Sequence, residues 1–153
     1  MKRLAVASLM AVLTLTPGPA VAQTPIQVVA SFSILGDMVR QVTGDLADVT
    51  TIVGPDADAH VYTPTAADAK AVTNADVIFV NALGFETWSK TLIEASGTQA
   101  PVFVATAGIT PLRVDGEVDP HAWNSLPNGM TYVANIAARM AEVDPQNAAT
   151  YTA

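Results

Sequence analysis

The chain is organised around the segment Gly54-Pro55-Asp56-Ala57-Asp58-Ala59-His60-Val61-Tyr62-Thr63-Pro64. This turn-rich segment has a proline near each end and carries one of the two histidines of the sequence. The other histidine lies in a similar setting, Asp119-Pro120-His121-Ala122-Trp123. In both segments proline restricts the backbone on which the imidazole is presented. Because neutral imidazole is the commonest side-chain ligand for metals, the recurrence predicts a transition-metal site at His60 and His121.

Outward from this segment, strand-like and helix-like stretches alternate along the chain. Such alternation favours parallel strands joined by right-handed helical crossovers. The predicted fold class is therefore α/β, with a four-stranded parallel sheet flanked by helices. Strands are predicted at residues 26–32, 48–53, 76–80 and 101–105, and helices at 33–43, 65–73, 86–95 and 128–142, with a further helix starting at Asp144-Pro145.

Several of these boundaries depend on particular residues. Ser33 is expected to cap the first helix, and Thr65 with Asp68 forms a capping-box pattern at the second. Glu86 is expected in the first turn of the third helix, where the helix dipole favours a carboxylate. One face of the long helix is expected to be buried, through Tyr132, Val133, Ile136, Ala137 and Met140.

Composition excludes several classes of protein. Half of the 153 residues are apolar and only 14% are charged, so a folded domain is expected. The formal charge of −7 argues against a nucleic-acid partner, because phosphate binding requires clustered Lys and Arg. The absence of cysteine rules out disulfides, zinc-thiolate sites and cysteine catalysis in this sequence.

The first 22 residues have the pattern of a secretory signal. Lys2 and Arg3 precede an apolar run over residues 4–15, and Ala20-Val21-Ala22 fits the small-residue cleavage rule. A membrane anchor is the weaker interpretation, because the run is shorter than the ~20 apolar residues of a spanning helix. We therefore expect cleavage after Ala22 and a periplasmic location, with no membrane span in the mature chain and no cysteine for lipid attachment.

The sequence resembles a known family, the periplasmic receptors that deliver zinc, manganese and iron to ABC importers. This family is also called the zinc-uptake or TroA-like group. The resemblance covers nearly the whole mature chain. It rests on three motifs in the family's order, followed by Asn128 and Asp144-Pro145. The motifs are residues 54–65 (GPDADAHVYTPT), 75–86 (ADVIFVNALGFE) and 119–123 (DPHAW).

The resemblance implies a two-lobed metal receptor of which this chain holds the N-terminal half. His60 and His121 match the family's first two metal ligands, whereas the remaining ligands, a His or Glu and an Asp, belong to a second lobe that is missing here. The implied domains are a signal peptide (1–22), an α/β metal-binding lobe (23–143) and the start of an interlobe helix (144–153). The implied ligand is Zn2+ or Mn2+, with Fe2+ as a third candidate, and the implied partner is the membrane permease of an ABC importer. A full-length member is expected to be a monomer and not an enzyme.

Family members specific for zinc often carry a His-rich loop, and residues 97–117 contain no histidine. This favours manganese or iron mildly, and the identity of the metal stays open.

Four further residues are candidates for supporting the site. Asp58 and Asp119 are placed to accept a hydrogen bond from the non-ligating N–H of a histidine, although solvated loop aspartates are an equal alternative. Tyr62 and Trp123 are expected to wall the cleft rather than to bind metal.

Two other functions are alternatives for a secreted chain of this kind. A secreted metal-dependent hydrolase would need an open coordination position and a general base, and the sequence has no His-Glu-x-x-His segment. A surface adhesin-type protein, with a role in cell adhesion, is the second alternative. The sequence offers no positive feature for either.

Overall fold

The computed structural model describes residues 24–153. The expected signal peptide therefore lies outside the described residues. The remainder forms a four-stranded sheet, five α-helices and a short hairpin. In chain order the elements are β1 (Ile26–Phe32), α1 (Ser33–Thr43), β2 (Ala47–Val53), α2 (Ala66–Thr73), β3 (Val77–Val80), α3 (Ser89–Ser96), β4 (Val102–Val104), β5 (Arg113–Val114), β6 (Glu117–Val118), α4 (Leu126–Val143) and α5 (Ala148–Tyr151).

The sheet has the strand order β2-β1-β3-β4, and every neighbouring pair is parallel. Val29 pairs with Thr50 on one side and with Ile78 on the other, and Ile78 in turn pairs with Val102. The predicted α/β class and the four parallel strands are confirmed. All four residues of β3 are buried, as expected for a central strand that is covered on both faces.

Helices cover the sheet in two pairs. Helix α1 contacts α4, and α2 contacts α3. Tyr132, Ile136 and Met140 of α4 are fully buried, which confirms most of its predicted apolar face. Val133 is the exception, because 42% of it is exposed.

Close packing of α1 on the sheet depends on Gly36. A Cβ atom at this position would lie 2.4 Å from the Thr51 hydroxyl oxygen, so a side chain here would force either Thr51 or the helix to shift.

Helix starts were predicted with mixed success. The Thr65–Asp68 capping box is present in both directions. Ser33 is not a cap, because the first helix already includes it and Phe32 occupies the N-cap position without a side-chain hydrogen bond. Helix α3 begins at Ser89, three residues later than predicted, and the β5–β6 hairpin was not predicted. Among residues 24–153, no helix has the length and hydropathy of a membrane span.

Candidate metal centre

The two histidines lie beside each other at the carboxyl end of the sheet. His60 belongs to the loop that leaves β2, and His121 belongs to the segment between β6 and α4. Their Nε2 atoms are 3.1 Å apart, although 61 residues separate them in sequence. The fold therefore brings together the pair that the sequence singled out.

The spacing of the two nitrogens suits a shared ion. An ion at the usual Zn–N distance of about 2.0–2.1 Å from both would subtend a ligand angle of about 100°, between octahedral and tetrahedral values. Among the described residues, no group of three or more His, Cys, Asp or Glu side chains is placed to hold a metal. This part of the chain thus offers two neutral nitrogen donors.

Asp119 fixes the ring of His121. Its Oδ1 accepts hydrogen bonds from the Nδ1–H of that ring at 2.7 Å and from the His121 amide at 3.0 Å. The amide and then the ring N–H of His121 hold the pKa of Asp119 below its usual value. A ring that carries its proton on Nδ1 leaves Nε2 free to bind a metal.

Asp58 plays a different part from the one expected for it. Its Oδ1 accepts a hydrogen bond from the backbone amide of His60, at 2.8 Å, and no bond to the ring is present. The His60 ring instead lies edge-on to Phe85, with centroids 4.6 Å apart. The loop backbone is held at the preceding residue as well, where the Trp88 indole N–H donates to the Ala59 carbonyl at 2.7 Å.

The two aromatic candidates occupy different places. Trp123 packs against His121, with centroids 5.3 Å apart, and lines the recess beside both histidines. Tyr62 does not line that recess. Its hydroxyl donates at 2.9 Å to Asp68, the acidic member of the α2 capping box, and its ring packs on Trp88.

Sequence reasoning missed the residues behind the pair. Glu86 is not in the first turn of a helix: it precedes α3 and is only 4% exposed. Phe85 contacts both imidazoles, and Asn81 is fully buried next to Glu86. In the sequence, the one sign of this arrangement is Gly84, which indicates a turn but does not indicate that Phe85 and Glu86 are buried after it.

Known proteins resemble this chain over most of the described residues. The model of the family described as "ZnuA: Zinc-uptake complex component A periplasmic" matches residues 28–153. The chain belongs to this family. The resemblance seen in the three sequence motifs is thereby confirmed.

Curated relatives and a solved structure agree with the assignment. The chain is 40% identical over 129 residues to manganese-binding lipoprotein MntA of Halalkalibacterium halodurans, covering 84% of this chain and 43% of that protein. It is 38% identical over 130 residues to iron-binding protein YfeA of Yersinia pestis, covering 82% and 42%. A Mn-bound periplasmic metal binding protein from Candidatus Liberibacter asiaticus superposes with a TM-score of 0.78 at 38% identity, covering 84% of this chain and 49% of the other.

These matches also set limits. The chain spans less than half the length of the two curated relatives. All three descriptions are of binding proteins rather than enzymes, and none of them mentions adhesion. The family consists of extracytoplasmic solute-binding proteins, which agrees with the expected location outside the cytoplasm.

Proposed function

We propose that this chain is the metal-capturing lobe of an extracytoplasmic receptor, which binds a divalent transition metal and delivers it to the permease of an ABC importer. His60 and His121 are its metal ligands in this proposal. The observation that carries it is the 3.1 Å approach of two Nε2 atoms from loops that are distant in sequence. Membership of the zinc-uptake family gives independent support.

The proposal includes a division of the chain. Residues 1–22 act as a signal peptide, residues 23–143 form the metal-binding lobe, and residues 144–153 begin a helix toward a second lobe. Two neutral nitrogens supply no negative charge, so we infer that anionic donors from outside the described residues complete the coordination of a divalent cation. The assembled receptor is expected to be a monomer.

The metal is one of Zn2+, Mn2+ or Fe2+. The two curated relatives named above are described as binding manganese and iron, respectively. Imidazole suits zinc and iron, and the preference of Mn2+ for oxygen ligands would have to be met by the remaining donors. The identity of these donors, rather than the histidine pair, is therefore expected to decide between the metals.

A direct test is a calorimetric titration of the chain with Zn2+ and, separately, with Mn2+. We expect one ion per chain, and we expect His60→Ala or His121→Ala to abolish binding because either change leaves a single donor. Asp56→Asn in the same loop is the matched control and should bind as the unchanged chain does. Equal binding by the unchanged chain and both histidine variants would contradict the proposal.

The alternative functions predict different results. A metal-dependent hydrolase would turn over ester or peptide substrates when Zn2+ is added, and an adhesin-type protein would bind host matrix without metal. No contact among the described residues favours either function.

A further inference from the structure

The loop between β3 and α3, residues 81–86, has an unusual backbone. Ala82, Leu83 and Gly84 follow one another with φ angles of 63°, 56° and 82°. The left-handed conformation costs roughly 1–2 kcal/mol for each residue that has a Cβ atom. Such strain persists only where the surrounding structure imposes it. We refer to this segment as the 81–86 loop.

The carboxylate of Glu86 is the first group that imposes this conformation. Its Oε1 accepts hydrogen bonds from the Asn81 amide at 2.5 Å and from the Ser31 hydroxyl at 2.8 Å. Its Oε2 is buried and has no hydrogen-bond partner among the described residues. Burial raises the pKa of Glu86, and the Ser31 hydroxyl and backbone N–H groups, including those of Asn81 and Ala82, oppose the rise. The carboxylate thus lies against amides of its own loop, as an anion does in a backbone nest.

Asn81 connects this loop to the segment that carries His121. Its side-chain Nδ2 donates to the Pro120 carbonyl at 3.0 Å, directly before the histidine. Its Oδ1 accepts the hydroxyl of Tyr132 on α4, and its backbone carbonyl accepts the Thr106 hydroxyl at 2.6 Å. Asn81 has no exposed surface, and every one of its polar groups has a partner. A buried residue whose polar groups are all paired holds the backbone around it in one arrangement.

Phe85 connects the same loop to both imidazoles. Its ring centroid lies 4.6 Å from that of His60 and 5.8 Å from that of His121, edge-on in each case. The ring of Trp123 also packs on Phe85, with centroids 4.8 Å apart. Phe85 is only 5% exposed, and its amide donates to the Ala82 carbonyl at 3.1 Å, which ties its backbone to the turn that precedes it.

We propose that the 81–86 loop is a preorganising clamp for the two histidines, in which Glu86 is a positioning residue that acts through Phe85 and Asn81. This inference rests on the proposed metal site. Glu86 does not touch the metal in this account. Holding both rings in place before the ion arrives reduces the ordering cost of binding.

The contrasting possibility is that Glu86 only stabilises the fold. In that case its replacement would lower the melting temperature but leave the metal affinity of the folded molecules unchanged. A positioning role predicts a loss of affinity in the folded state and a change at the histidine rings even without metal. The two roles can therefore be separated at a temperature where every variant is folded.

The test is Glu86→Gln in the whole chain, with Glu94→Gln on the exposed side of α3 as the matched control. Glutamine keeps the length of the side chain and one oxygen acceptor for the Asn81 amide and the Ser31 hydroxyl, but it removes the negative charge and puts an NH2 donor at the buried Oε2 position, which has no hydrogen-bond partner among the described residues. We expect about tenfold weaker Zn2+ binding for Glu86→Gln, the usual scale for residues that orient metal ligands. The control should stay within about twofold, because the Glu94 side chain is 67% exposed and makes only a 3.8 Å ion pair with Lys90.

Ring 15N NMR spectra of the two histidines in metal-free protein give a readout that does not depend on Zn2+ binding. We expect shifted or broadened ring resonances in Glu86→Gln and unchanged ones in Glu94→Gln. Phe85→Leu should reproduce the loss of Zn2+ affinity. In the Phe85→Leu background, Glu86→Gln should lower the affinity by less than it does in the unchanged chain, because the two residues act through one contact. If Glu86→Gln does not fold, Ser31→Ala, which removes a single hydrogen bond to the carboxylate, replaces it.

The outcomes separate the two proposals. Normal Zn2+ affinity and normal ring spectra in Glu86→Gln, with only a lower melting temperature, would overturn the clamp and leave the metal site intact. Failure of the unchanged chain to bind Zn2+ would overturn the proposed function instead. In that event the ring spectra still decide whether the loop positions the histidines.

Discussion

The His60 and His121 loops anchor their backbones by the same device and fix their rings by different ones. In each loop the aspartate two residues before the histidine accepts the histidine amide, at 2.8 Å for Asp58 and 3.0 Å for Asp119. In each loop, too, a buried or half-buried side chain donates to the carbonyl of the residue just before the histidine. Only Asp119 also reaches the ring of its histidine.

This difference separates two ways of preparing a ligand. The tautomer and the direction of His121 are set by a charged acceptor, whereas the direction of His60 is set by the edge-on contact with Phe85. Asp58 stands two residues before its histidine, as Asp119 does, yet its carboxylate accepts a hydrogen bond from the histidine amide and none from the ring. An aspartate two residues before a histidine therefore does not by itself imply a bond to the ring.

The largest difference in metal affinity between the two loops is expected when Asp119→Asn is compared with Asp58→Asn. Asparagine at 119 is a weaker, uncharged acceptor for the His121 ring, and loss of such a partner typically costs 10- to 100-fold in metal affinity. At position 58 the side-chain oxygen of an asparagine can still accept the hydrogen bond from the His60 amide. We therefore expect the Zn2+ affinity to change by at most about threefold. Zn2+ titration of both variants measures the difference, and equal losses would remove the distinction between the loops.

A smaller effect is expected on stability from Trp88→Phe. Phenylalanine keeps the aromatic contact with Tyr62 but removes the indole N–H that bonds to the Ala59 carbonyl at 2.7 Å. Ala59 is buried, so its carbonyl loses its partner with little access to water, at a cost of about 1–3 kcal/mol. Denaturant unfolding should show this loss. An unchanged free energy of unfolding would mean that the His60 loop is held by Asp58 alone.

How far the sequence predicted the structure depends on the range of the interactions involved. The four strands, the capping box and the histidine pair follow from local patterns, because alternation of elements places both loops at the same end of a parallel sheet. The positions of Glu86 and Phe85 do not follow, since consecutive left-handed residues at Ala82 and Leu83 leave no signature in side-chain type. The expected role of Tyr62 in walling the cleft stays a prediction for the metal-bound chain, because in this structure its hydroxyl bonds to Asp68 and it does not line the recess.

A pH effect of modest size is expected from Asp119. The pKa of Asp119 is lowered in the folded state, chiefly by the amide of His121, so its ionised form stabilises the fold above pH ~4, the ordinary pKa of Asp. This contribution is lost as the pH falls through the folded-state pKa. The stability difference between the unchanged chain and Asp119→Asn should therefore shrink below pH ~4. Urea titrations from pH 5 to pH 3 check this, and a difference that grew over that range would contradict the assignment.

The smallest effect is expected from Tyr62→Phe, which tests whether this residue belongs to the histidine site at all. Its hydroxyl bonds only to Asp68, whose carboxylate also accepts the amide and hydroxyl of Thr65 and so stays satisfied without it. Loss of one such partly exposed hydrogen bond should cost about 0.5–1.5 kcal/mol of stability. Zn2+ affinity should stay within about twofold, because the ring keeps its contact with Trp88 and does not line the recess. A tenfold loss of affinity would show that Tyr62 walls the cleft in the metal-bound state. Each histidine loop would then contribute one aromatic wall, Tyr62 from the first loop and Trp123 from the second.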